Sequence, residues 1–163
     1  MHTKQIAIGV ILASLSLLAS CANPETSALA ESRRQAVEAD IDDILSYAVD
    51  ATEVGEPRRC LSESEYRDYR PLGDRHLLFE GKRDKQWINV LRARCSHLEN
   101  GDFFIMEQTS ARRMCASDQF QVSNRFNSTS WYDLGTGATC VLGEFKPVTR
   151  AQVEEIEKRL ESL

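Results

Sequence analysis

Apolar and polar positions follow different periods along the chain, and the changes of period divide it. Residues 6–18 form an apolar run broken only by Gly9, Ser14 and Ser16. That run is shorter than the roughly 20 residues a membrane-spanning helix needs. Ala22 to Leu29 contains Asn23-Pro24 and no apolar period, which predicts a linker. From Ser32 the pattern turns helical: Ser32-x-x-Gln35 offers a capping box, and Val37, Ile41, Ile44, Leu45 and Ala48 recur at intervals of three and four. The helix is expected to end before Gly55-Glu56-Pro57 and to pack its stripe on its own domain; a partner helix from another chain is the alternative occupant.

Between Arg58 and Phe145 the period shortens. Runs rich in aromatic and branched residues alternate with turn signals such as Pro71-Leu72-Gly73-Asp74 and Asn100-Gly101-Asp102. Strands are predicted at Tyr66–Arg70, His76–Glu80, Trp87–Arg92, Phe103–Gln108, Arg112–Cys115, Gln119–Asn124 and Thr139–Phe145, with Ser62–Arg67 open to a helical turn instead. Leu77 and Phe79 should share a hairpin face with Trp87, Asn89 and Leu91, turning near Gly81–Lys85. The spacers are mostly too short for crossover helices, so the sheet should be largely antiparallel. The tail reverts to helix: Thr149-x-x-Gln152 is a second capping box, Val148 and Val153 form a hydrophobic staple, and Ile156, Leu160 and Leu163 continue the stripe.

These periods predict an α+β fold, a small, largely antiparallel sheet or partly open barrel between an N-terminal and a C-terminal amphipathic helix. The expected organisation is an export signal at 1–20, an anchor and linker at 21–31, an acidic helix at 32–54, a disulfide-braced β domain at 55–147 and a closing helix at 148–163.

The first segment has the parts of an export signal: Lys4, the apolar run, and small residues before a cut. Its end, Leu18-Ala19-Ser20-Cys21, resembles the bacterial lipobox. The resemblance implies a diacylglycerol thioether on Cys21, with fatty chains such as palmitate; a plain secretory signal is the alternative. Two or three acyl chains anchor stably where one is marginal. Ala22, in place of an aspartate, resembles the outer-membrane class of such lipoproteins and implies a periplasm-facing leaflet.

Charge refines the picture. The chain carries a net charge of −5. The acids are concentrated: Glu25, Glu31, Glu38, Asp40, Asp42, Asp43, Asp50 and Glu53 face only Arg33 and Arg34 across 22–54. An acidic spacer is repelled by anionic lipid and is expected to stand off the bilayer. Nucleic acid is excluded as a partner on the same ground.

With Cys21 assigned to lipid, Cys60, Cys95, Cys115 and Cys140 remain, an even set suited to two disulfides in an oxidising compartment. Three pairings are possible. Cys60 with Cys140 and Cys95 with Cys115 is the expected one, because the first bridge would join the ends of the domain. The spacings lack C-x2-C and H-x3-H, so no metal is expected, and no pattern asks for a cofactor.

Arg59-Cys60-Leu61, Leu72 to Phe79, Trp87 to Leu91 before Arg94-Cys95, Met114-Cys115 with Asp118, and Cys140-Val141-Leu142-Gly143-Glu144-Phe145 together resemble a proteobacterial family of small exported proteins, often lipidated, classed as a domain of unknown function. The resemblance spans Gly55 to Gln152 and implies no activity.

Candidate chemistry is sparse. His76 begins a strand and reads as half-buried, His97 sits in a polar turn, and neither has a nucleophile at a recognisable spacing. No G-x-S-x-G elbow or C-x-x-C is present. Asp102 and Glu107 could flank a sugar, as acidic pairs on many surfaces could. Arg58-Arg59, Arg92-x-Arg94 and Arg112-Arg113 each precede a cysteine, so a bridge among Cys60, Cys95 and Cys115 would draw arginine pairs toward one anion site; solvated strand edges are the plainer reading. Trp131 and Tyr132, in the polar stretch Asn124–Gly137, are a candidate binding loop unless they fold back onto the core. The sequence therefore points to a non-enzymatic envelope lipoprotein that binds a protein or cell-wall component, with a small periplasmic hydrolase as the alternative.

Overall fold

A computed structural model describes residues 24–47, 54–99, 103–107, 112–123 and 138–163. The order is α1 (Pro24–Ser46), β1 (Cys60–Ser62), β2 (Tyr66–Leu72), β3 (His76–Gly81), β4 (Gln86–Val90), β5 (Phe103–Glu107), β6 (Arg113–Cys115), β7 (Gln119–Ser123), β8 (Ala138–Val141), β9 (Phe145–Val148) and α2 (Arg150–Leu160). Antiparallel pairing makes three sheets, β2-β3-β4-β9, β5-β7-β8 and β1-β6. Among the described residues they do not close, so the α+β expectation holds in its form of open, antiparallel sheets.

The central sheet follows from the β3–β4 hairpin. Phe79 faces Trp87 and Leu77 faces Asn89, as the alternation predicts. The turn has positive φ at both Arg83 and Asp84, and the amide of Lys85 donates to the carbonyl of Lys82, the primed geometry that matches strand twist. Both strands are buried on both faces. Leu77, Phe79, Trp87 and Phe145 point one way, into Leu61, Leu91, Leu98, Met114, Phe120 and Leu142. Leu78, Ile88 and Val148, with Leu72, point the other way, into Val37 and Ile41 of α1 and Val153 and Ile156 of α2.

Three sequence expectations change. The run Thr139–Phe145 is two strands in different sheets. At the break, the side chain of Asn89 accepts from the amide of Gly143 and donates to its carbonyl, both at 2.9 Å, satisfying backbone that has left one ladder and not yet joined the next. A Cβ on Gly143 would lie 1.9 Å from the Val90 carbonyl oxygen, so only glycine fits.

The disulfides are Cys60–Cys115 and Cys95–Cys140, not the expected pairing. Strand register decides it: β1 and β6 place Cys60 directly opposite Cys115. Cys95 is fixed by its amide donating to the Asp74 carbonyl at 2.7 Å, and it meets Cys140 on β8.

Helix α1 begins at Pro24, within the stretch expected to be a linker. Proline is at home in a first helical turn, and Ala28 to Glu31 are good helix formers. Tertiary ion pairs then hold the helix down. Arg94 bonds Glu31 at 3.0 Å and Glu38 at 2.7 Å, Arg75 bonds Glu38 at 3.1 Å, and Arg159 bonds Asp40 at 3.1 Å. Helix α2 has its capping box at Thr149 and Gln152 as expected, and the Gln152 amide group also donates to the Ile44 carbonyl of α1 at 3.0 Å.

Candidate functional site

A cavity of about 350 Å³ lies where α1, the β2–β3 turn and the C-terminus meet. The turn Gly73-Asp74-Arg75 reverses the chain with φ +68° at Gly73, whose missing Cβ would sit 2.9 Å from Leu160. That close approach brings α2 to one wall. Val37 and Ile41 of α1, with Leu160 and Leu163, supply apolar surface; Arg34, Glu38, Asp74, Arg75, His76 and Glu99 supply polar groups.

Electrostatics distinguish these groups. Burial alone would push the Glu38 carboxyl up, but the hydrogen bond from Arg94, its charge and the Arg75 guanidinium outweigh that and hold it below the usual range. Hydrogen bonds from Arg94 and Gln35 hold Glu31 low as well. The side chains of Asp74 and Glu99 have no hydrogen-bond or ion-pair partner among the described residues. His76 is 2% exposed, much deeper than a half-buried strand residue. Burial, helped by the Arg75 charge, pushes its imidazole down to about 4, against the opposing pull of Asp42, Glu38 and Asp74. It is neutral at pH 7, and its Nε2 and the Nε of Arg75 are buried without a hydrogen-bond partner among the described residues. The cavity thus offers two unpaired carboxylates, a guanidinium at Arg34 and an apolar floor. That set suits a small ligand carrying an ammonium or hydroxyl groups; among the described residues no serine, threonine or cysteine lines it.

The other sequence candidates are dispersed. Arg58 bonds Glu65 at 2.6 Å and lies 5.5 Å above the Trp87 ring, while Arg94 is committed to Glu31 and Glu38. Arg92 donates to the Ser117 hydroxyl at 2.5 Å. Arg59, Arg112 and Arg113 are exposed. The Cys60–Cys115 bridge does not gather its arginines, because antiparallel register sets Arg113 opposite Ser62 and the Arg59 carbonyl against the amide of Ala116, at opposite ends of the ladder. His97 is exposed in a turn with φ +65°. Glu107 accepts from Gln121 at 3.4 Å. Cys21, Asp102, Trp131 and Tyr132 lie outside the described residues.

Sequence reasoning missed the cavity because four separate segments build it. The one local signal was a histidine beside an arginine just after a Gly-Asp turn. Among the described residues no three His, Cys, Asp or Glu side chains are grouped to hold a metal, and no helix is long and apolar enough to cross a membrane.

Over residues 4–162 the chain matches a family described as a family of unknown function, DUF6491, and it belongs to that family. No curated protein and no solved structure matches it. Residues that the sequence singled out have structural duties here: Cys60 and Cys115 bridge, Asp118 accepts from the Cys115 amide at 2.8 Å, and Gly143 receives Asn89.

Proposed function

We propose that this member of the DUF6491 family is an envelope lipoprotein, held by lipid on Cys21 at the periplasmic face of the outer membrane, whose folded part is a non-enzymatic binding module. The observation that carries the reading is Leu18-Ala19-Ser20-Cys21 at the end of a short apolar run. The binding role draws on the cavity, where Asp74 and Glu99 stand unpaired beside an apolar floor, a composition that suits holding a small polar cell-wall fragment. A neutral His76 with no serine, threonine or cysteine beside it among the described residues of the cavity wall favours binding over hydrolysis.

Two measurements test it. The native protein should show acyl mass on Cys21, and Cys21→Ser should release it to the soluble fraction; an unacylated, freely soluble native product removes the anchor. Peptidoglycan fragments titrated calorimetrically should bind about tenfold more weakly to an Asp74→Asn, Glu99→Gln protein. Unchanged binding, or cleavage of the fragments by the wild-type protein, removes the binding role.

A further inference from the structure

We propose that Leu29 and Leu163, with Arg33 and Arg34 beside them, form a lip that rests on the headgroup region of the bilayer; this depends on lipid being attached at Cys21. Helix α1 starts at Pro24, three residues after that cysteine. Three residues reach no more than about 11 Å, so an acylated Cys21 holds the first turn of α1 against the interface.

The surface at that end fits a bilayer. Leu29 is 71% exposed and Leu163 49%, and both line one shallow groove of about 580 Å³ with Thr26, Ala30 and Arg33. Thr26, Leu29, Ala30 and Arg33 are spaced to share a helix face, and they continue toward the N-terminus the stripe whose Val37 and Ile41 pack on the sheet, past the point where it is covered. The other large exposed apolar side chain among the described residues, Tyr47, follows the far end of α1, roughly 27 Å from Leu29 along the axis at 1.5 Å per residue.

Charge complementarity agrees. Guanidinium forks suit lipid phosphates, and Arg33 and Arg34 both line the groove. Glu31, which lies 3.9 Å from Arg34, is bonded more closely by Arg94 at 3.0 Å, and Glu38 is held by Arg94 and Arg75, so Arg33 and Arg34 keep positive charge for lipid phosphate. The acidic run is therefore a clamped helix, and the uncovered first turns of its apolar stripe, with Arg33 and Arg34, are left to meet the membrane. Two leucines are too little to anchor the protein; the lip orients a molecule that the acyl chains hold.

The test uses the full-length native protein in vesicles whose lipids carry bromine on their acyl chains. Tryptophan is placed by Leu29→Trp, Leu163→Trp or, as the distant control, Tyr47→Trp, and the wild-type signal is subtracted. All three sites are exposed, so folding is undisturbed. Quenching of the L29W and L163W proteins at least threefold above Y47W is the expected result. Intact mass is read on each sample. Acylated protein with equal quenching at all three sites overturns the lip and leaves the anchor standing, whereas absence of acyl mass overturns both.

Discussion

Leu77, Phe79 and Trp87 leave the central sheet toward strands laced by two disulfides, whereas Leu78 and Ile88, one residue along, leave it toward two helices fastened by ion pairs. The same hairpin is thus secured differently on its two faces. A disulfide acts largely on the unfolded chain and is indifferent to salt and to pH below the thiol range. Ion pairs depend on both. The strand face should yield to reductant and the helix face to acid, a division that follows from covering one sheet with two kinds of element.

The largest effect is expected on the strand face. Cys95–Cys140 closes 45 residues and Cys60–Cys115 closes 55, so chain entropy alone gives each about 4 kcal/mol. The first lies in the core, with Cys95 1% and Cys140 6% exposed, so losing it also disturbs packing around Phe120 and Leu98. Urea unfolding followed by tryptophan emission should show Cys95→Ala/Cys140→Ala losing more than Cys60→Ala/Cys115→Ala. Equal losses would mean that the core bridge contributes only loop closure.

On the helix face the prediction concerns pH. His76 sits beneath α1, facing Glu38 and Asp42 of that helix and Asp74 and Arg75 of its own turn. Its folded value, about 4, lies below the 6.5 of a free imidazole, so between those limits the unfolded state binds a proton that the folded state refuses. Stability should therefore be intact above pH 6.5, fall by up to ~1.4 kcal/mol per pH unit toward pH 4, and then level off for this group. Glu38, whose folded value is depressed, adds a separate loss as pH drops below about 4.5. A His76→Gln protein, unfolded by urea across this range, should lose the upper phase and keep the lower. A surviving upper phase would assign it to another group.

The two faces also differ in how far the sequence reveals them. Helix α2 was legible because Thr149, Gln152, Val148 and Val153 settle its start within a few residues. The β3–β4 hairpin was legible for the same reason. The break between β8 and β9 was not, since it depends on Asn89, 54 residues away, and on how closely Val90 approaches Gly143. Cysteine pairing depended on a register between short strands that no spacing encodes. The acidity of α1 was plain in the sequence, but its recipients are Arg75, Arg94 and Arg159, and their approach depends on the finished sheet. The cavity inherits that difficulty, because its polar wall is assembled from the same distant partners.

The smallest effects sharpen the contrast within the helix face itself. Glu38 is shared by two arginines with its side chain 17% exposed, whereas Arg159 and Asp40 meet with roughly half of each side chain in water. After allowance for solvent screening, Glu38→Gln should cost about 1 kcal/mol, and Arg159→Ala less than ~0.5 kcal/mol. At 1 M salt, where screening acts over ~3 Å, the Arg159 effect should vanish while part of the Glu38 effect persists, since partly buried charges are screened less. Thermal melts of both variants in low and high salt measure this. If the two lose the same amount and respond alike, the clamp on α1 is a diffuse attraction between an acidic helix and a basic surface. If they separate as expected, the helix is pinned at one point beside the cavity, and movement of Glu38 would open the wall that His76 and Asp74 share.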